Sequence, residues 1–419
     1  MPALQPARGT QDLLPEAARR HRHVIDTARR LAALYGFAEI ATPIFEFTEV
    51  FSRPIGEHTD IVAKEMYTFT DRGGEEVTLR PENTAGVVRA VLSNGLTQAT
   101  PLKFFYSGPM FRYERPQKGR FRQFHQIGVE ILGVAQPQAD IELIALGRRI
   151  LAALGIAEKV VLELNTLGDP ESRASYREAL VAYFSARQSE LSEDSRRRLQ
   201  VNPLRILDSK DERDRRIIVD APDFADHLND VSREFFDKVQ NGLSKIGIGY
   251  RLNPRLVRGL DYYTHTVFEF VTTDLGAQGT VLAGGRYDGL VELMGGPPMP
   301  GVGWAAGMER LAMLIAEPPT PKRPILVIPV GEAAEAKALI IAEALRNNDC
   351  YVELSYSGNL SRRMRYANRV NARAAILVGQ DELDRNVLKL RNFDSGEEEE
   401  IPMDLTLSTL RSCIDSLRS

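Results

Sequence analysis

Cysteine is almost absent from this chain: Cys350 and Cys413 are the only two in 419 residues, far apart and without metal-ligand spacing. That excludes a disulfide framework and a cysteine zinc finger, and it fits a reducing, cytoplasmic setting. No resident metal is expected. Long apolar runs are missing too: none approaches the roughly 20 residues that a membrane helix needs. The N-terminus, with Pro2, Pro6 and Asp12, lacks a signal-peptide profile. A net charge of −4 rules out a protein that is basic all over, so any polyanion must be held by local basic surfaces. There is no GxxxxGK sequence, which removes a phosphate-binding loop of that kind. What is present is an ordinary globular composition, 43% hydrophobic and 26% charged, over a length sufficient for two or three domains.

Along the chain, apolar residues recur at helical spacing over residues 15–35, and Gly36 supplies a stop. Short strands are predicted at 37–40, 66–70 and 77–79, with Asp71-Arg72-Gly73-Gly74 as a hairpin turn, then a helix at 83–93. Residues 103–111 and 122–132 read as two strands around the polar turn Arg115-Pro116-Gln117-Lys118-Gly119. From about 170 to 248 the sequence is charged and helical, the signature of an inserted module. Strands are expected again at 256–271 and 281–283, and a glycine-spaced segment runs from Gly301 into a helix at 308–315. One sheet is thus assembled from both sides of the insertion. Glu317-Pro318-Pro319-Thr320-Pro321 is the strongest linker signal, because successive prolines resist helix and central strand alike. Beyond it, segments at 325–330, 334–346, 350–356, 360–370, 374–378 and 386–393 read as strand, helix, strand, helix, strand, strand, an α/β domain of ordinary size. The acidic run 397–400 reads as a solvated strand edge or turn.

The densest chemistry lies in Phe111-Arg112-Tyr113-Glu114 and Arg120-Phe121-Arg122-Gln123-Phe124-His125-Gln126. From Lys103 to Arg122 the basic residues are Lys103, Arg112, Arg115, Lys118, Arg120 and Arg122, against the single acid Glu114. Strand alternation puts Arg112 and Glu114 on one face, and Phe124 and Gln126 on one face of the partner. Such a surface offers a guanidinium for a phosphate, a carboxylate for an amine or a metal, and an aromatic ring for a purine. Taken alone, the same residues also describe a surface hairpin laced with salt bridges.

Arg-x-Glu, a loop, then Arg-x-x-x-Phe resembles motif 2 of the class II aminoacyl-tRNA synthetases, and Gly303-Trp304-Ala305-Ala306-Gly307-Met308-Glu309-Arg310 resembles their motif 3, with Ala305 where a glycine is usual. Arg258-Gly259-Leu260-Asp261-Tyr262-Tyr263-Thr264 and Leu282-Ala283-Gly284-Gly285-Arg286-Tyr287-Asp288 resemble two signatures of the histidyl-tRNA synthetase family. So do Arg8-Gly9-Thr10-Gln11-Asp12, Thr78-Leu79-Arg80-Pro81-Glu82 and the segment 202–208, so the similarity spans essentially the whole chain. The resemblance implies an α+β fold: an antiparallel-sheet catalytic core (1–168 and 251–317), a helical insertion (169–250), a linker (318–322) and a C-terminal α/β anticodon-binding domain (323–419). It implies activation of histidine with ATP and its transfer to tRNA, with Mg²⁺ accompanying the nucleotide and no tightly bound organic cofactor.

By the same resemblance, Arg112, Glu114, Arg120, Phe124 and Arg310 bind ATP, Arg112 at the α-phosphate and Phe124 and Arg310 on the two faces of adenine. Glu82, Asn83, Thr84, Gln126, Glu130, Tyr262, Tyr263 and Tyr287, with Arg112 and Arg258, bind histidine; Asn83 stands where a glycine is common. An imidazole both donates and accepts, so its pocket needs acceptors and hydroxyls, which Glu130 and the tyrosines supply. Arg258 and Arg112 are the expected catalytic pair, neutralising charge that develops on the phosphorus oxygens. Gln117 and Arg122 are expected to read the acceptor end of the tRNA. Arg362, Arg363, Arg365, Arg369 and Arg373, with no acid between Glu353 and Asp381, form either a phosphate-tracking helix or a solvated face. His58 and His125 are expected to be structural, since a carboxylate nucleophile needs no protein base. Motif 1, around 45–53, implies a homodimer. Two rivals remain: a non-catalytic, histidine-sensing regulatory relative, and a class II synthetase of another specificity.

Overall fold

A computed structural model of the chain describes residues 3–56, 59, 61–117, 119–207, 209–257, 262–276, 279–316 and 320–403. The chain divides into two compact units, Met1–Pro319 and Thr320–Ser419.

The larger unit opens with α1 (Pro15–Leu34), which starts on proline at a position where its missing N–H costs nothing. The helix buries His21, Val24, Ala28, Leu31 and Ala32, the one stripe that its period allows. Gly36, with φ 80°, turns the chain into β1 (Ala38–Glu39). A small antiparallel sheet follows, interleaved with a helix: β2 (Phe45–Phe47), α2 (Glu49–Ile55), β3 (Tyr67–Thr70) and β4 (Glu76–Leu79), in the order β2-β4-β3. Then come α3 (Thr84–Ser93), the long hairpin β5 (Leu102–Phe111) and β6 (Gln123–Leu132), α4 (Gln138–Ala153) and β7 (Val161–Thr166).

The region read as an insertion holds α5 (Pro170–Ser185), α6 (Glu193–Val201), α7 (Glu212–Ile218) and α8 (Asp230–Lys245). Its first part has its own core, with Tyr176, Phe184, Leu199, Ile206, Ile217 and Phe224 among the buried residues. The last helix does not share it: Phe236, Val239 and Leu243 of α8 pack into the main core with α4. The two ends of the region are stitched together by their helix caps. Asp169 accepts from the Ser172 N–H at 2.8 Å and Asn229 from the Ser232 N–H at 2.9 Å, while Asn229 Nδ2 donates to Asp169 at 2.8 Å.

The chain returns to the sheet through β8 (Arg251–Leu252), β9 (Thr264–Val271) and β10 (Thr280–Arg286). It continues with α9 (Leu290–Leu293), β11 (Gly301–Gly307) and α10 (Met308–Leu314). Among the described residues the main sheet has the order β1-β5-β6-β11-β10-β9-β7-β8, parallel only at its two outer pairs. Strands from both sides of the insertion therefore meet, with β6 beside β11. The strand expected over 256–271 begins only at Thr264. Leu256, Tyr262 and Tyr263 are all buried, without the alternation of a strand, and His265 takes φ 44°, a left-handed value that breaks regular pairing.

Alternation on the central strands separates two faces. Ile127, Val129 and Ile131 of β6 and Val302, Trp304 and Ala306 of β11 point into the core beneath α1 and α4. Gln126, Gly128 and Glu130 share the other face with their cross-strand partners Gly307, Ala305 and Gly303. A buried ion pair fixes this sheet to α4: the fully buried Arg286 guanidinium meets Asp140, also fully buried, and donates to the Asp288 carboxylate at 3.0 Å.

The smaller unit contains β12 (Ile325–Pro329), α11 (Glu335–Arg346), β13 (Val352–Leu354), α12 (Leu360–Arg369), β14 (Ala374–Val378), α13 (Gln380–Asp384), β15 (Val387–Asn392) and β16 (Glu398–Pro402). Its sheet runs β13-β12-β14-β15-β16, parallel over the first three strands and antiparallel after. Ile325 and Val327 face the core that contains α11 residues, and Leu326 and Ile328 face the one that contains Ala367 of α12. Burial on both faces is why β12 reads as an unbroken apolar run. The acidic run forms the edge strand β16, where Glu398 and Glu400 pair with Lys389 and Arg385.

Candidate active site

The polar face of the sheet floors a cavity of about 500 Å³. Its geometry starts with small residues. A Cβ on Gly303 would overlap the Glu130 carboxylate, one on Gly128 the Tyr106 ring, and one on Gly301 the Tyr287 ring. The notches left by these glycines let an acid and two phenols lie flat within the sheet. Glu130 accepts from the Tyr287 hydroxyl, from Thr84 Oγ1 at 2.7 Å and from the Tyr106 hydroxyl at 3.3 Å. Burial pushes the Glu130 carboxyl from 4.5 to about 8, against the pull of these donors and with the help of the nearby Glu82 charge. Burial also raises Tyr106, Tyr262 and Tyr287 well above the usual phenol range, so each is a neutral donor at any ordinary pH.

Glu82 lies next to this cluster and at the start of α3. Its carboxylate accepts from the Thr84 N–H at 2.6 Å and the Ala85 N–H at 3.0 Å, a helix N-terminal position that suits a negative charge. Burial nonetheless raises its pKa. Gln126 contributes an acceptor: its Oε1 is buried and has no protein partner.

The other wall is cationic. Regular pairing of β5 stops at Phe111, yet Arg112 and Glu114 both line the cavity. Arg112 is anchored by donation from Nε to the Pro81 carbonyl at 2.9 Å, and its guanidinium lies 5.3 Å from the Phe124 ring centre. Arg120 donates to Glu114 at 2.7 Å. Arg310, at the start of α10, donates to the Thr280 carbonyl at 2.5 Å, and burial lowers its pKa. Gly119, with φ 73°, brings the hairpin tip against Arg310 and Met313, where a side chain would collide. The cavity thus joins three arginines and an aromatic ring to a floor of buried acids and phenols.

Glu82, Thr84, Arg112, Glu114, Arg120, Phe124, Gln126, Tyr262, Tyr263 and Arg310 line this one cavity. Asn83, Glu130 and Tyr287 lie behind its surface: Asn83 is 1% exposed and accepts from Thr42 at 2.6 Å, while Glu130 and Tyr287 are each 1% exposed and bonded to each other. Gln117 is exposed at the hairpin tip. Arg122 is held, with its guanidinium 3.8 Å from the Tyr113 ring centre and its N–H donating to the Gly9 carbonyl at 2.7 Å. Arg258 and His58 lie outside the described residues, as does Cys413. His125 is bonded through both ring and backbone to Glu309, a structural arrangement.

Two working residues escaped the sequence reading. Arg80, 5% exposed, ties the segment that leads to Glu82 to β5 by donating to the Pro109 carbonyl at 2.8 Å, and it also donates to Thr42 at 3.1 Å. Its position in Thr78-Leu79-Arg80-Pro81-Glu82 was the available signal. Lys210, from the helical region, reaches the cavity wall, and no local pattern marks it.

An antiparallel sheet flanked by helices, carrying this arginine wall and acid floor and joined to a separate α/β unit, is the architecture of a class II aminoacyl-tRNA synthetase. Sequence comparison narrows it. A family profile described as histidyl-tRNA synthetase matches residues 9–311, and one described as an anticodon binding domain matches residues 325–412. The chain is 60% identical over 402 residues to the histidine–tRNA ligase of Rhodospirillum rubrum, covering 96% of this chain and 97% of that one. It is 56% identical over 404 residues to that of Gluconacetobacter diazotrophicus, with the same coverage. The crystal structure of apo S. aureus histidyl-tRNA synthetase superimposes with a TM-score of 0.81 at 36% identity, covering 96% of this chain and 98% of that one. The chain belongs to the histidyl-tRNA synthetase family. It is an aminoacyl-tRNA synthetase that uses ATP, and the reading as a non-catalytic regulatory relative is set aside. Among the described residues, no helix is long and apolar enough to cross a membrane.

Glu130 generates a stability prediction. Its folded pKa, about 8, is above its ordinary 4.5, so the stability linked to its protonated form is fully present below the lower value and lost as pH rises through the higher. Thermal unfolding of the ligand-free enzyme should therefore occur at progressively lower temperature as pH climbs from about 5 to about 8. Glu130→Gln, a neutral isostere, should flatten that decline. A slope left unchanged by the substitution would show that Glu130 ionises freely in the fold.

Proposed function

We propose that the cavity condenses histidine with ATP and then passes the histidyl group to tRNA. A histidine carboxylate oxygen attacks the α-phosphorus, the bond to the bridging oxygen of pyrophosphate breaks, and histidyl-adenylate forms. The terminal ribose hydroxyl of the tRNA then attacks the activated carbonyl, and AMP leaves. One observation carries this reading: a single cavity is lined by Arg112, next to an aromatic ring, by the unpartnered Gln126 acceptor, and by Thr84, which is bonded to the Glu130 cluster behind it.

In this assignment Phe124 and Arg310 enclose the adenine, a planar guanidinium being able to stack where an ammonium cannot. Arg112, with Arg258, neutralises charge on the α-phosphate as it develops. Glu82 and Gln126 receive the substrate ammonium, with Thr84 beside them. Tyr262 and Tyr263 contact the imidazole, while Asn83, Glu130 and Tyr287 act from behind the surface by holding the floor in place. Mg²⁺ arrives with the nucleotide; Glu114 and Glu269 on the cavity wall are carboxylate donors of the type that a hard cation accepts. Amino-acid-dependent exchange of pyrophosphate into ATP, assayed with all twenty amino acids, should respond to histidine alone. Arg112→Ala and Arg258→Ala should each lower it on the order of 10² to 10³-fold without unfolding the protein. Equal exchange with proline, threonine or glycine would transfer the assignment to another class II specificity.

The smaller unit is proposed to hold the anticodon stem and loop. Arg362, Arg365 and Arg369 of α12 line a cavity with Tyr356, which is 84% exposed and offers a ring on which a splayed base can stack. At the hairpin tip, Gln117 and Arg122 are proposed to meet the acceptor end. Arg362→Ala with Arg365→Ala should reduce kcat/KM for tRNA charging at least about tenfold, with salt sensitivity reduced, and leave pyrophosphate exchange intact. Loss of both activities together would contradict that division.

A homodimer in the cytoplasm completes the reading. Phe45, Phe47 and Phe69 share one face of the β2-β4-β3 sheet and are 57%, 51% and 48% exposed, an aromatic patch of the kind that a subunit partner covers. Sedimentation should give twice the chain mass, falling towards one chain in Phe45→Glu/Phe47→Glu. A wild-type mass near one chain would remove this claim.

A further inference from the structure

His21 of α1, His125 of β6 and Glu309 of α10 meet on the core side of the adenine site. One ligating atom from each, a ring nitrogen or a carboxylate oxygen, lies within 4.8 Å of the others. His125 Nδ1 is already 2.9 Å from Glu309 Oε1, and the two imidazoles stand edge to face with ring centres 5.4 Å apart. The two carboxylate oxygens of Glu309 also accept from the His125 N–H at 3.0 and 3.1 Å, which fixes the carboxylate in place.

A second observation marks the cluster as incomplete. His21 is only 7% exposed, and its Nδ1 is buried with no hydrogen-bond partner. An orphaned polar atom on a helix interior is a standing cost that a packed apolar residue would not carry. The helix is also held rigidly here, because Arg20 donates to the Ala312 and Ile315 carbonyls at 3.2 and 2.9 Å and pins α1 to the end of α10. His21 cannot easily swing away.

We propose that His21, His125 and Glu309 form a binding site for one transition-metal dication of the zinc type, separate from the metal that accompanies ATP. Two imidazoles and one carboxylate are a three-ligand set that zinc accepts, with a fourth position left for water. Metal-to-ligand bonds of about 2.0 to 2.2 Å put ligating atoms roughly 3.3 Å apart, so atoms already within 4.8 Å of one another need to approach by about 1.5 Å at most. Glu309 lines the catalytic cavity and gives the ion its way in. A bound ion would join α1 to the strand carrying Phe124 and the helix carrying Arg310. Sequence spacing could not reveal the site, since its three members come from distant segments.

The test uses the full-length enzyme, stripped of metal and free of histidine, which would itself chelate. Zn²⁺ is titrated against a chromophoric competitor, and Co²⁺ is followed by its visible absorption. One saturable equivalent per chain is expected, with a tetrahedral cobalt spectrum. His21→Ala should weaken it at least about tenfold, whereas His23→Ala, one residue pair along the same helix, should not. Should His21→Ala fail to fold, His21→Asn and His125→Gln are read in the same way. No saturable equivalent, or an affinity indifferent to these substitutions, overturns the site and leaves a hydrogen-bonded histidine–glutamate pair.

Discussion

Placing Glu130 inside the sheet is the constraint to which the rest of the larger unit answers. A carboxyl raised from 4.5 to about 8 represents a penalty on the order of 5 kcal/mol for its charged form, comparable with the whole stability of many domains. The fold tolerates it because the charge need not be present in the ligand-free state, and because three hydroxyls converge on the group. The carboxyl and two of its phenol partners need space, which is why glycine occupies positions 303, 128 and 301 on neighbouring strands. The glycines in turn weaken the strands that carry them. The opposite face compensates, with Val129, Ile131, Val302 and Trp304 packed against α4, and with Trp304 Nε1 donating to the Leu143 carbonyl at 3.0 Å.

The same layout explains what was legible beforehand. Arg112, Phe124 and Arg310 sit in contiguous motifs whose chemistry is local, and a strand hairpin brings them together without any distant information. The smaller unit was readable for a similar reason, since buried parallel strands such as β12 announce themselves as apolar runs. Register was not readable. Only the pairing of Gly303 with Glu130 explains why that glycine is there, and the partners lie on strands separated by the whole helical region. Arg286 and Asp140, 146 residues apart, show the same limit: each alone looks like a surface charge, and only the fold makes them a buried pair. The start of β9 was not legible because Leu256, Tyr262 and Tyr263 are buried as strand residues would be yet lie outside the strand, and His265 takes a left-handed φ.

The helical region between β7 and β8 is two things at once. Its early helices close on their own core, while α8 packs into the main one, a division that sequence character alone does not mark. The reciprocal caps of Asp169 and Asn229 hold the entry and exit together, which keeps the sheet continuous on either side of a long excursion. From that excursion Lys210 reaches back to the cavity, so its wall is not built by the sheet alone.

Selectivity follows from the state of the floor. Tyr106, Tyr262 and Tyr287 stay neutral because burial raises them, so their hydroxyls remain donors across the range in which Glu130 changes charge. On the proposed assignment the ligand meets the cavity-lining groups that this floor holds in place, the unpartnered Gln126 acceptor among them. A side chain of similar size unable to match those polar groups would leave them unsatisfied, a mismatch that discriminates by roughly 10⁴ or more in sites built this way. Hydrophobic complementarity could not reach that ratio, since one methylene is worth only about 1–3 kcal/mol. Under the proposed function, the polar floor, costly in the empty enzyme, is therefore the feature by which the active site chooses its amino acid.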